Sequence, residues 1–96
     1  MLKHLAVAAA LLAFASGAFA QDAYEQALKA YRAGQYQRAI ELLQEVVSTE
    51  PRAEAYYLLG YAHYALSQKA QARAYFQEAF LIEPMLKPQE VLKQVW

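Results

Sequence analysis

Apolar residues recur along this chain at intervals of three and four, and the residues that break helices fall between those runs at regular spacing. Ala39, Ile40, Leu43, Val46 and Val47 line one side of a helix expected from about Tyr36 to Thr49. Pro51 ends that helix, because proline has no N–H to donate and disfavours a helical residue before it. Upstream, Asp22 can cap a helix reaching about Ala33, and Gly34 is placed to close it in a left-handed conformation. Downstream, a third helix is expected from about Ala53 to Leu66 and a fourth from about Lys69 to Ile82, with Pro84 as the second stop. The fourth carries Ala72, Phe76, Ala79 and Phe80 on its apolar face. Pro88 suits the first turn of a short last helix through Val91, Leu92, Val95 and Trp96.

The pattern repeats. Residues 23–51 align with residues 56–84 without a gap and share eight identities in 29 pairs. These are Tyr24 with Tyr57, Tyr31 with Tyr64, Gln35 with Gln68, Ala39 with Ala72, Gln44 with Gln77, Glu45 with Glu78, Glu50 with Glu83 and Pro51 with Pro84. A period in the thirties indicates stacked units, none of which can bury its apolar face alone. The period continues faintly, since Leu58, Leu59 and Ala62 align with Val91, Leu92 and Val95.

The second unit runs Ala53, Glu54, Ala55, Tyr56, Tyr57, Leu58, Leu59, Gly60, Tyr61, Ala62, His63, Tyr64, then Ala72, Phe76, Ala79 and Pro84. The first unit carries Gly34, Gln35, Tyr36, Ala39, Leu43, Val46 and Pro51. In these residues the chain resembles the tetratricopeptide repeat family, as a small exported bacterial-type member. Departures are Ala23, Gln26 and Ala27 where that family usually has a large aromatic, Leu and Gly, and Ser67 and Lys69 in place of the turn Gly and Tyr. The resemblance implies an all-α, helical-hairpin repeat architecture: repeat 1 about 21–52, repeat 2 about 53–85, and a capping helix about 88–96. Gly60, Ala39 and Ala72 are small where paired helices must approach, with Leu43 and Phe76 filling the space between. Two and a half units fall short of the roughly three that a stable stack needs. The last helix is therefore expected to lie over the second hairpin with Val91, Leu92 and Trp96 inward, or that edge meets another chain.

Residues 1–20 read as a secretory signal. Lys3 is followed by an apolar run from Leu5 to about Ala15, then Ser16, Gly17 and the small-x-small site Ala18-Phe19-Ala20, giving cleavage at Ala20/Gln21. The run is shorter than the roughly 20 apolar residues a membrane span requires. The expected destination is the periplasm or the outside of the cell, with no stable membrane insertion after cleavage. Gln21 to Trp96 then holds eight Lys/Arg against nine Asp/Glu, which gives no reason to expect nucleic acid as a partner.

Catalytic chemistry has little to work with. Beyond residue 20 there is one His, His63, and no Cys, so no nucleophile–base pair or metal-ligand spacing can be assembled. His63 shares the Tyr56 and Leu59 face and is expected as a packed, hydrogen-bonded imidazole. The only glycines there are Gly34 and Gly60, too few for a phosphate loop. Neither an enzyme nor a cofactor or metal site is expected.

The eight tyrosines are more informative. Tyr57, Tyr61 and Tyr64 share one face of the third helix, and Tyr24, Leu28 and Tyr31 hold equivalent places on the first. The family resemblance implies that these six line a concave groove taking a protein or peptide, with Tyr24 and Tyr57 the most accessible. Tyrosine suits such a surface, offering wide contact area and a hydroxyl that is satisfied in water or bound. The same rings can instead pack between units or under the last helix. The function expected is thus a non-catalytic adaptor or scaffold of the cell envelope; the alternative is homo-oligomerisation through the exposed edge of an incomplete stack.

Overall fold

The computed structural model describes residues 21–96; the expected leader, residues 1–20, lies outside them. Five helices are seen among the described residues: α1 (residues 21–32), α2 (Tyr36–Thr49), α3 (Ala53–Ala65), α4 (Lys69–Ile82) and the short α5 (Pro88–Leu92). Asp22 is not a cap. It lies within α1, where its Oδ2 accepts a bond from Gln26 Nε2 at 2.8 Å.

Both hairpin turns are built alike. After α1, the Gly34 N–H donates to the Tyr31 carbonyl (3.0 Å) and the Gln35 N–H to the Ala30 carbonyl (2.8 Å), with Gly34 at φ +77°. These paired bonds satisfy carbonyls that the end of a helix otherwise leaves without donors. After α3, Ser67 and Gln68 repeat the arrangement onto Tyr64 (2.9 Å) and His63 (2.9 Å), with Ser67 at φ +63°. The turn Gly that the second unit lacks is therefore replaced by a serine in the left-handed region, at a cost of roughly 1–2 kcal/mol for an L-residue. The second helices of the two hairpins, α2 and α4, also end alike. Glu50 and Glu83 precede Pro51 and Pro84 in extended conformation (φ −143° and −144°), as proline requires of the residue before it.

One apolar cluster joins the units. It takes Ala23, Tyr24, Ala27, Leu28, Ala30 and Tyr31 from α1, Ala39, Ile40, Leu42, Leu43 and Val46 from α2, and Tyr57, Leu58, Leu59 and Ala62 from α3. α3 packs on both α2 and α4, so the hairpins stack. Gly60 makes room on α3 for a side chain of α4: a Cβ there would run into the Phe76 ring.

Two expectations about the apolar faces are corrected. Val47 on α2 is only half-buried, and Phe80 on α4 is 56% exposed because no described element covers the outer side of α4. Trp96 is 80% exposed, and the buried residues of the last segment are Val91 and Val95. The last helix does lie on the second hairpin, on its first helix: α5 packs on α3, and no comparable packing joins it to α4.

Candidate functional site: an inner face already occupied

α1 and α3 lie on the same side of the two hairpins, and their tyrosine-bearing faces together form the surface singled out from sequence. Of the six residues, Tyr24, Leu28, Tyr31 and Tyr57 are buried, Tyr61 is half-buried and Tyr64 is 57% exposed. The expectation that Tyr24 and Tyr57 are the most accessible is reversed. The reason is tertiary: the segment after Pro84 turns back onto Tyr24 and Tyr31, and Tyr57 lies beside Phe76 of α4.

The contacts of that segment define the site. Val91 and Val95, four apart and on one side of the last turns, are fully buried, with Leu86 and Leu92 packed at the margin of the same cluster. The Tyr24 hydroxyl donates to Gln94 Oε1 at 2.6 Å, linking residues 70 positions apart. Trp96 meets Tyr31 edge-on, ring centroids 6.4 Å apart, although most of the indole is in solvent. Tyr31 in turn meets Tyr36 across the first turn at 5.2 Å. On the other side of Tyr24, the Arg52 guanidinium lies 4.2 Å from the ring centre, a cation–π contact. Arg52 is also 3.7 Å from Glu54, so one arginine holds an aromatic ring and a carboxylate together.

The electrostatics follow from burial. Loss of water around Tyr24 pushes its hydroxyl up to about 12; Arg52 opposes the shift, and Glu54 and Glu25 add to it. Tyr31 is raised as well, through burial first and then its neighbours Tyr36 and Tyr61. Tyr61 is raised by burial and by Tyr57. These hydroxyls are neutral at physiological pH, so the face offers apolar surface and hydrogen-bond donors rather than charge.

The far end of the face is aromatic but uncovered. Tyr61 meets Phe76 edge-on at 5.0 Å, and Tyr57 lies 6.3 Å from the same ring. A shallow depression there is bordered by Tyr64, Lys69, Arg73 and Phe76. His63 faces the other way. Its ring stacks on Tyr75 at 5.3 Å and its Nδ1 pairs with Gln68 Oε1 at 2.6 Å, the packed and hydrogen-bonded imidazole expected of it. Its Nε2 is buried without a hydrogen-bond partner among the described residues.

Sequence reasoning missed Gln94 and Arg52 as parts of this site. Neither belongs to a periodic apolar pattern, and Gln94 reaches Tyr24 only after the chain reverses beyond Pro84. Val91 and Val95 did carry a signal, their spacing of four and their alignment with Leu58 and Ala62.

A second apolar surface lies on α4, where Phe80, Leu81 (73% exposed) and Ile82 face solvent, followed by the exposed Met85. Arg73, Phe76, Gln77, Phe80 and Leu81 border a broad depression on this edge.

Comparison with known proteins gives one result. Nothing matches among curated proteins or among solved structures. A family model described as tetratricopeptide repeat matches residues 24–80, more than half of the chain, and on that ground the chain belongs to the tetratricopeptide repeat family.

Proposed function

We propose that this protein is an adaptor of the cell envelope that holds a protein partner, as a short helical segment, on the inner face of α1 and α3. Domains of this family are generally non-catalytic protein-interaction modules. The observation that carries the reading is that the face already holds such a segment, burying Val91 and Val95 completely and donating from Tyr24 to Gln94. Delivery to the periplasm or beyond follows from the leader at residues 1–20, with cleavage at Ala20/Gln21. Among the described residues no helix is long and apolar enough to cross a membrane.

Site-specific photo-crosslinking in cells tests this. A photoreactive phenylalanine analogue replaces Tyr61 or Tyr64 at the open end of the face, or Gln37 and Glu41 on the exposed side of α2. Adducts to a discrete partner from Tyr61 and Tyr64, and none from α2, are expected. Adducts from α2 alone would refute the reading.

A second reading has its own observation. α4 leaves Phe80, Leu81 and Ile82 bare at the end of a stack of only two hairpins, and an apolar patch of that kind marks an interaction site. This reading makes the α4 edge an assembly surface for a second copy. A sedimentation series over micromolar to millimolar concentration discriminates: a monomer throughout removes it.

A further inference from the structure

We infer that the C-terminal segment, residues 86–96, is an intramolecular competitor for the inner face, released when a partner helix of the same pattern takes its place. The pattern is two small aliphatic residues four apart with a side-chain amide just before the second. This rests on the peptide-binding reading above and adds its regulation.

Four observations carry it. First, the segment covers the last hairpin only in part, because α5 packs on α3 while Phe80 and Leu81 of α4 stay exposed. Second, its attachment is small: Val91 and Val95 are fully buried, Leu86 and Leu92 pack at the margin, Trp96 meets Tyr31 edge-on, and among the described residues Tyr24 to Gln94 is its one side-chain hydrogen bond to the other helices. Third, α5 has five residues, far below the roughly 12–15 at which an isolated helix becomes even marginal in water. Its helical form is therefore imposed by the face, and a longer partner helix arrives with less ordering still to pay for. Fourth, the connection from Glu83 to Lys87 carries Pro84 and a single turn bond, Leu86 N–H to the Glu83 carbonyl. It tethers the segment closely, and Leu86 is the one residue of the connection packed against the core cluster.

Tethering sets the size of the effect. A short flexible connection presents its segment at a local concentration of the order of millimolar, so an outside peptide must exceed that to compete. If the segment is seated about 99% of the time, the apparent Kd of a partner rises about 100-fold over its intrinsic value.

The test uses the full chain and a fluorescein-labelled synthetic peptide of residues 86–96, followed by anisotropy, with circular dichroism on each protein. The wild type is expected to bind the peptide weakly. Gln94→Ala, which removes only the tyrosine contact from the resident segment, should bind it about 2- to 13-fold more tightly, the range one hydrogen bond spans. Val91→Asp with Val95→Asp, which prevents seating, should gain on the order of 100-fold. A peptide carrying the same two aspartates should not bind at all. Unchanged affinity in Gln94→Ala, with a lowered Tm, would make the segment a fixed structural element and overturn the proposal. If the double aspartate variant loses its helical signal, Gln94→Ala alone decides. Peptide binding that follows this order while Tyr61 and Tyr64 give no adducts in cells refutes the adaptor reading and leaves the competitor intact.

Discussion

Gly60 separates packing from propensity in a single substitution. In an exposed helix, Gly→Ala stabilises by about 1 kcal/mol through propensity alone. Here the added methyl would sit within contact distance of three atoms of the Phe76 ring. That ring cannot retreat freely, since it leans on Tyr61 at 5.0 Å and Tyr57 at 6.3 Å. Forcing an extra carbon into a packed contact costs about 1–3 kcal/mol, and a disturbed aromatic pair adds about 0.5–1.5 kcal/mol. Subtracting the propensity gain leaves Gly60→Ala destabilised by about 0.5–3.5 kcal/mol. At this chain length each kcal/mol lowers Tm by about 4–8 °C. In a Phe76→Ala background the obstruction is gone, and the same Gly60→Ala change should then stabilise by about 1 kcal/mol. The coupling between the two sites is therefore about 1.5–4.5 kcal/mol, measurable by urea titrations of the four proteins followed at 222 nm. A gain in stability for Gly60→Ala alone would show that Phe76 swings into solvent at no cost. The fit of α4 against α3 would then not depend on glycine.

Other consequences are as direct. Ser67→Gly relieves the left-handed serine and should raise stability by about 0.5–1 kcal/mol, whereas Gly34→Ala imposes the same strain and should lower it by about 1–2 kcal/mol; thermal melts check both. Because the folded Tyr24 hydroxyl is raised to about 12 from an ordinary 10, its contribution is fully present below pH 10 and is lost as pH climbs towards 12. Urea titrations of wild type and Tyr24→Phe between pH 9 and 12 should therefore converge at the alkaline end, while a constant difference would contradict the shift. Deprotonation removes the donor for the resident Gln94 and for the Gln94 of the labelled peptide alike, so the apparent affinity of that peptide for the wild type should stay level across the same range. Phe80→Ser with Leu81→Ser should change stability by less than about 0.5 kcal/mol per site, as exposed positions do. A loss of several kcal/mol would place those side chains in a packed interior.

The helices themselves were legible because their signals are local. Gly34, Pro51 and Pro84 act on the backbone within one turn, and the boundaries of α2 and α4 follow from them without knowledge of the rest of the chain. The repeat was legible for a related reason: Ala39 and Ala72 hold equivalent small positions, and both are buried. Even the substituted turn at Ser67 formed, because the two hydrogen bonds that define it come from backbone groups any residue supplies.

The inner face was only half legible. Periodicity placed Tyr24, Leu28, Tyr31, Tyr57, Tyr61 and Tyr64 on equivalent faces, but not what would stand against them. Whether a ring is a lining or a core residue depends on its neighbour across space, and that neighbour here begins more than 60 residues beyond Tyr24. The faint continuation of the period suggested a third unit, yet a helix of five residues presents too little apolar surface to extend a stack. Its two valines are buried instead on the inner face, beside the Tyr24 hydroxyl that reaches Gln94. The sequence by itself determined where the chain is helical, where it turns and which residues are equivalent, because steric and backbone hydrogen-bonding rules operate over a few residues. Only the tertiary structure decided that the tyrosine face is closed at Tyr24 and Tyr31 by the chain's own end and that α4 is left bare. That choice turns on which of two apolar surfaces a short tethered segment covers, and long-range packing alone makes it.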